Sequence, residues 1–125
     1  MKIDSMLIED VVTALGDISI KEAIHILYIK HIGSIVIIDK ERKCKGIFTE
    51  RDAIRVVGSD IPLSTPLKEV MTTNLRTIEK GATFAEAKNI MRSHNVRHLP
   101  VIDKQGHLIG LLSFRTILDE VHDIK

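Results

Sequence analysis

The stretch Ser34-Ile35-Val36-Ile37-Ile38-Asp39-Lys40 has a counterpart 64 positions further on, His98-Leu99-Pro100-Val101-Ile102-Asp103-Lys104. Its closing Ile38-Asp39-Lys40 falls on Ile102-Asp103-Lys104, and the same register holds outward on both sides. Thr13 falls on Thr77, Glu22 on Glu86, Ala23 on Ala87, Ile26 on Ile90, Gly46 on Gly110 and Arg51 on Arg115, with no gap. Conservative pairs fill the intervals: Ser19 with Thr83, Ile32 with Val96, Ile35 with Leu99 and Thr49 with Ser113. Coincidence would not keep one register over that span, so the chain reads as two tandem copies of one supersecondary unit. A unit of this size rarely buries its apolar face alone, and the copies are expected to pack together.

Each copy predicts the same elements. A short extended segment comes first, Val11-Val12-Thr13 or Leu75-Arg76-Thr77. Ser19-x-x-Glu22 and Thr83-x-x-Glu86 then have the form of a helix-starting capping box. Behind them Ile20, Ala23, Ile24 and Leu27, and Phe84, Ala87, Ile90 and Met91, recur at helical spacing. The first helix is predicted to stop near Gly33 and the second near Asn95. Two β-rich runs follow in each copy, 34–38 and 45–48, then 98–102 and 108–112, joined by short polar loops at 39–42 and 103–106. A second helix opens at Thr49 and at Ser113, both good N-cap residues. The predicted order per copy is β-α-β-β-α, an α+β class, with one copy over 7–61 and the other over 62–125. Between them 58–66 has linker composition, and 66–71 adds a helical turn.

Composition narrows the function. The chain has 125 residues, enough for one compact domain or two small units sharing a core. Hydrophobic residues make up 44% and aromatics 3%, with no Trp, so the core must be aliphatic. Lys and Arg number 18 against 17 Asp and Glu, a net charge of +1, which lacks the basic surface of a general nucleic-acid binder. The single cysteine, Cys44, cannot close an internal disulfide or supply a thiolate zinc cage. The opening residues carry acids where a signal peptide needs a basic head. Apolar runs such as Ile35–Ile38 fall far short of a membrane span of about 20 residues. The expectation is a soluble, cytoplasmic protein that does not engage a membrane.

The string Gly46-Ile47-Phe48-Thr49-Glu50-Arg51-Asp52 resembles the G-h-h-T/S-x-x-D signature of cystathionine-β-synthase (CBS) domains. Asn95-Val96-Arg97-His98-Leu99-Pro100-Val101-Ile102-Asp103 and the lead-in Lys68-Glu69-Val70-Met71 resemble the same family, and the likeness runs from about Leu7 to Val121. The resemblance implies two tandem β-α-β-β-α repeats packed as one pseudo-two-fold module (a Bateman module) with two clefts. It further implies an adenosine-type ligand (AMP, ADP, ATP or S-adenosylmethionine) and regulation of an attached or partner protein.

The residues suit such a ligand. A ribose offers two neighbouring hydroxyl donors and a carboxylate two acceptor oxygens, so Thr49 and Asp52 are the candidate ribose-binding residues. Read locally, the same pair is a helix cap, with Thr49 as N-cap and Asp52 at the positive helix end. Both readings can hold at once. By resemblance, Arg97 and His98 reach the phosphates of a nucleotide whose ribose is held by the other copy, with Arg115 as a further candidate; read locally, Arg97 and His98 form a solvated turn. A guanidinium fork matches phosphate oxygens. An apolar slot for adenine falls to Met71, Asn74, Leu75 and Val96, with Ile32 and Gly33 completing it, although Met or Leu at such places is commonly core. The second cleft departs from the pattern, with Thr116 where Asp52 would recur and Gly33 and Ser34 where Arg97 and His98 would. One working site is therefore expected.

Other chemistry finds little support. Of the histidines His25, His31, His94, His98, His107 and His122, only His94 and His98 stand at i, i+4 spacing, and no carboxylate pair or cysteine completes a metal set. Lys43 and Lys45 flank Cys44 and would lower its pKa, but with no partner base it reads as an ordinary strand residue. No nucleophile elbow, P-loop or dinucleotide fingerprint is present, so neither an enzyme nor a bound cofactor is expected. The alternative function is a ligand-free assembly module. In it, exposed helix faces such as Ile54 and Val57, or Ile117 and Val121, would pair chains into a homodimer.

Overall fold

The computed structural model of the chain describes residues 2–7 and 10–113. Arg115, Thr116, Ile117, Val121, His122 and the helix expected after Ser113 lie outside the described residues. Two three-stranded sheets carry the α+β fold. In the first, β1 (Thr13–Ala14) runs parallel to β2 (Ser34–Ile38), which pairs antiparallel with β3 (Cys44–Thr49). Helix α1 (Ile20–Lys30) joins β1 to β2, and α2 (Glu50–Gly58) follows β3. The second sheet repeats the plan with β4 (Ile78–Glu79), α3 (Phe84–His94), β5 (His98–Ile102) and β6 (Leu108–Ser113).

The duplication is visible in the pairing itself. Ile35 lies opposite Phe48 as Leu99 lies opposite Leu112, and Ile37 opposite Gly46 as Val101 lies opposite Gly110. Each hairpin slips its register at one corresponding step, Ile37/Ile38 and Val101/Ile102. The loops close alike as well. Asp39 Oδ1 accepts from the backbone N–H groups of Glu41 and Lys43 at 2.9 Å each, and Asp103 Oδ1 from those of Gln105 and His107 at 2.9 Å each. Arg42 (φ 64°) and Gly106 (φ 88°) occupy the same left-handed place in the two loops.

Some boundaries differ from the sequence expectation. The first strand begins at Thr13, not Val11, and its counterpart is Ile78–Glu79, not 75–77. These are two-residue edge strands, set by what the buried β2 and β5 offer as partners and not by their own β propensity. The first helix stops at Lys30, and the left-handed cap is His31 (φ 53°), not Gly33. His31 is the 64-residue counterpart of Asn95 (φ 51°), which closes α3 as expected. The cap holds because Ile32 behind it packs against the core while its N–H returns to the Leu27 carbonyl at 3.3 Å.

The chain forms two compact units, Val12–Leu75, and Met1–Val11 with Arg76–Lys125. The first is built on Ile20, Ala23 and Leu27 of α1, Ile35 and Ile37 of β2, Phe48 of β3, Val56 of α2, and Leu67. The second is built on Ile78, Ala87, Met91, Leu99, Val101 and Leu112, together with Ile3. As expected, the core is aliphatic, with Phe48 the one buried phenylalanine among the described residues.

The lead-in turns are exchanged between the units. The 3-10 turn Leu67–Glu69 precedes the second copy in sequence yet packs with the first, its Leu67 N–H donating to the Ile18 carbonyl at 2.8 Å. The 3-10 turn Ile3–Met6 precedes the first copy yet packs with the second, its Ile3 N–H donating to the Ala82 carbonyl at 3.0 Å. Isolated bridges repeat the swap, Ser19 with Pro66 and Lys2 with Thr83. Leu67 and Ile3 are both fully buried, and burying such a side chain stabilises by about 1.5–3 kcal/mol.

Candidate functional site

Strand β3 delivers the signature residues to the start of α2, and a close backbone approach fixes where it runs. Ile47 and Thr72 exchange backbone hydrogen bonds at 3.0 and 2.9 Å, laying the segment 70–72 along β3. That approach needs glycine at position 46. A Cβ there would come within 2.9 Å of the Thr72 carbonyl oxygen and 2.8 Å of Met71 Sδ. The glycine of the signature is thus a packing requirement of the site's floor.

Helix α2 begins at Thr49 with a complete capping box. Thr49 Oγ1 accepts from the Asp52 N–H at 3.3 Å, and Asp52 Oδ2 accepts from the Thr49 N–H at 2.9 Å. The Thr49 hydroxyl also lies 3.2 Å from Asp52 Oδ2, as a donor. The other carboxylate oxygen, Oδ1, accepts from Thr72 Oγ1 at 3.1 Å and from Arg55 Nη2 at 3.3 Å. The same Arg55 nitrogen donates to the Val70 carbonyl at 2.7 Å, so one guanidinium ties α2 to the 70–72 segment. Asp52 is buried, only 7% exposed, at the positive end of the helix. An exposed Asp would be unremarkable as a cap; this one is buried and receives four internal hydrogen bonds, two of them from hydroxyls.

The capping reading of Thr49 and Asp52 is therefore observed directly. Sequence reasoning missed Arg55 and Thr72. Arg55 stands at i+3 from Asp52, a spacing that places two helix side chains side by side. Thr72 lies 20 residues away, and no pattern in the sequence links it to Asp52.

Several other expected residues share this unit. Gly33 stands beside the helix start, its carbonyl accepting from the Glu50 N–H at 3.1 Å, and Ile32 is half-buried against the core. Met71 packs against the same core over Gly46; Leu75 is half-buried and Asn74 exposed. Val96, Arg97 and His98 belong to the other unit. Val96 packs against its core, Arg97 is exposed at the entry to β5, and His98 is the half-buried first residue of β5, opposite Ser113.

The thiol of Cys44 departs from the expectation drawn from its lysine neighbours. Burial pushes its pKa up to about 11, so at neutral pH it is a protonated strand residue. Shallow hollows line the corner 77–82 and the hairpin end of the first sheet near Leu15 and Ile38, and neither includes Asp52. Among the described residues no helix is long and apolar enough to cross a membrane.

Two consecutive β-α-β-β units with a signature loop at a helix start define a tandem-repeat module, and comparison with known proteins gives it a family. The CBS domain family matches residues 3–59 and 67–123, and the chain belongs to it. Inosine-5′-monophosphate dehydrogenase of Aquifex aeolicus is 36% identical over 94% of this chain, which spans 24% of that protein. A 17.7 kDa protein of Acidianus ambivalens is 30% identical over 86% of the chain, which spans 65% of it. Among solved structures, the CBS domain protein PAE2072 of Pyrobaculum aerophilum, complexed with AMP, superposes with a TM-score of 0.87 at 25% identity. That match covers 98% of this chain and 99% of the other. The CBS domain pair of protein MJ0100, in complex with 5′-methylthioadenosine and S-adenosyl-L-methionine, superposes with a TM-score of 0.92 at 25% identity, covering 100% and 98%.

Proposed function

We propose that this chain is a non-catalytic regulatory module that binds an adenine nucleotide and passes its occupancy to a partner protein or to a second copy of itself. The observation that carries the reading is the buried, multiply hydrogen-bonded carboxylate of Asp52, held beside Thr49 at the start of α2. A carboxylate so placed accepts from ribose hydroxyls when they displace its internal side-chain donors. The ligands of the two related structures, AMP in one and 5′-methylthioadenosine with S-adenosylmethionine in the other, have an adenosine-type group in common.

In this reading Asp52 and Thr49 take the ribose. Arg97, His98 and Arg115 take the phosphates of AMP, ADP or ATP, and S-adenosylmethionine is the competing adenosyl ligand. Met71, Asn74, Leu75, Val96, Ile32 and Gly33 flank the base. The repeats act as 7–61 and 62–125. The counterpart positions, with Thr116 for the acid and Gly33 and Ser34 for the cations, lack this chemistry, so one equivalent of ligand binds. The ligand shifts the module only by the difference in its affinity for two arrangements.

A thermal-shift panel of AMP, ADP, ATP, GMP and S-adenosylmethionine tests this. A ligand at 100 times its dissociation constant stabilises by about 2.7 kcal/mol. The adenosyl compounds should raise the melting temperature, GMP should not, and Asp52→Ala should abolish the response. A flat panel on the wild-type chain defeats the reading.

One observation favours a second reading, ligand-free homodimeric assembly. Ile54 and Val57 on α2 are 74% and 58% exposed, more than isolated apolar side chains of an amphipathic helix require. Sizing with and without nucleotide separates the two: a dimer indifferent to every nucleotide favours assembly.

A further inference from the structure

Any hydroxyl-bearing ligand that approaches Asp52 meets a carboxylate whose acceptor sites are taken. An ionised carboxylate offers about four lone-pair sites, and here four donors point at it. The two oxygens are not equivalent. Both donors on Oδ2 come from Thr49, the N-cap residue, and its backbone N–H is half of the capping box that starts α2. The donors on Oδ1 are side chains of two exposed residues. Arg55 has a second anchor in its 2.7 Å bond to the Val70 carbonyl, whereas Thr72 Oγ1 can turn to water.

We propose that Oδ1 is the acceptor open to ligand exchange and that the Thr72 hydroxyl is an internal stand-in for a ribose hydroxyl, with Arg55 as the positioning residue that holds Oδ1 in place. This rests on the adenine-nucleotide reading and deepens it. An entering hydroxyl takes the place of Thr72 on Oδ1. Thr72 then keeps its backbone pairing with Ile47 but loses its side-chain tie to α2, so the exchange of one hydrogen bond loosens the segment that leads into the second repeat. Affinity is set by a competition inside the protein, and Thr72 tunes it.

Titration calorimetry of the full chain with AMP, joined to amide hydrogen exchange on the unliganded protein, tests the proposal. Thr72→Val removes the competing hydroxyl and keeps the shape. It should bind AMP about 10- to 100-fold tighter, the worth of one hydrogen bond to a charged group, while its unliganded melting temperature falls. A purely structural role would lower both. Thr72→Ser should bind as the wild type does. Arg55→Met should weaken binding, and Arg55→Lys should restore part of it. Unliganded Thr72→Val should exchange faster at the Ile47 and Thr72 amides. If wild type binds AMP and Thr72→Val binds no tighter, this inference falls and the nucleotide reading stands. If wild type binds none of the adenosyl ligands, the nucleotide reading falls. Unchanged exchange at Ile47 and Thr72 overturns the tie itself.

Discussion

Gly46 shows what a single residue contributes. Its missing side chain lets the 70–72 segment lie against β3, which in turn brings Thr72 to Asp52. Gly46→Ala places a methyl group against a backbone carbonyl that cannot step aside. It should cost about 1–3 kcal/mol in urea unfolding, the range for overpacking, and nucleotide affinity should fall with it. The loop aspartates make a separate prediction. Asp39 is held below the usual 3.8, first by the Lys43 backbone N–H, and Asp103 likewise by that of His107. A carboxyl with a lowered folded-state pKa stabilises the fold above its unfolded value, and that contribution vanishes as pH falls through the lowered one. Both loops are solvent-accessible, so the effect is small. Asp39→Asn and Asp103→Asn together should flatten the fall of melting temperature below about pH 4, followed by circular dichroism. Curves parallel to wild type would refute the assignment.

At the scale of the element, local chemistry was legible and distant partnership was not. The hairpins and the helix starts at Ser19, Thr49 and Thr83 could be read because caps and turns are decided within four or five residues. Thr49 and Asp52 were recognisable as a pair for the same reason. The edge strands β1 and β4 were misplaced because their limits are set by partners far along the chain. The end of α1 was misplaced for another reason. Glycine is the usual left-handed cap, and Gly33 drew the boundary past His31, although the 64-residue shift from Asn95 marks His31. His31→Gly should therefore raise stability by about 0.5–1 kcal/mol, the left-handed cost relieved less the entropy of an added glycine. Asn95→Gly should gain less, because Asn tolerates this conformation better. Melting curves of the two variants compare them directly, and a destabilised His31→Gly would contradict this account of the cap.

Across the whole molecule, the duplication was plain in the sequence and the exchange of lead-ins was not. Ile3 and Leu67 stand at corresponding places in the repeat, so either apolar residue suits either core and the sequence does not say which it enters. The structure does. Ile3→Ala should cost about 2–5 kcal/mol, and faster amide exchange should follow at Ile3, whose N–H bonds the Ala82 carbonyl, and along β5 and β6 before it reaches β2 and β3. Losses confined to the Val12–Leu75 unit would mean the lead-ins are not exchanged in solution.

That crossed wiring has a mechanical corollary. Whatever is tethered ahead of Lys2 would be anchored in the sheet of β4, β5 and β6, most of a chain length away in sequence. A pull from that side would load the C-terminal half first, so a fused protein and the repeat that grips it need not be neighbours along the polypeptide.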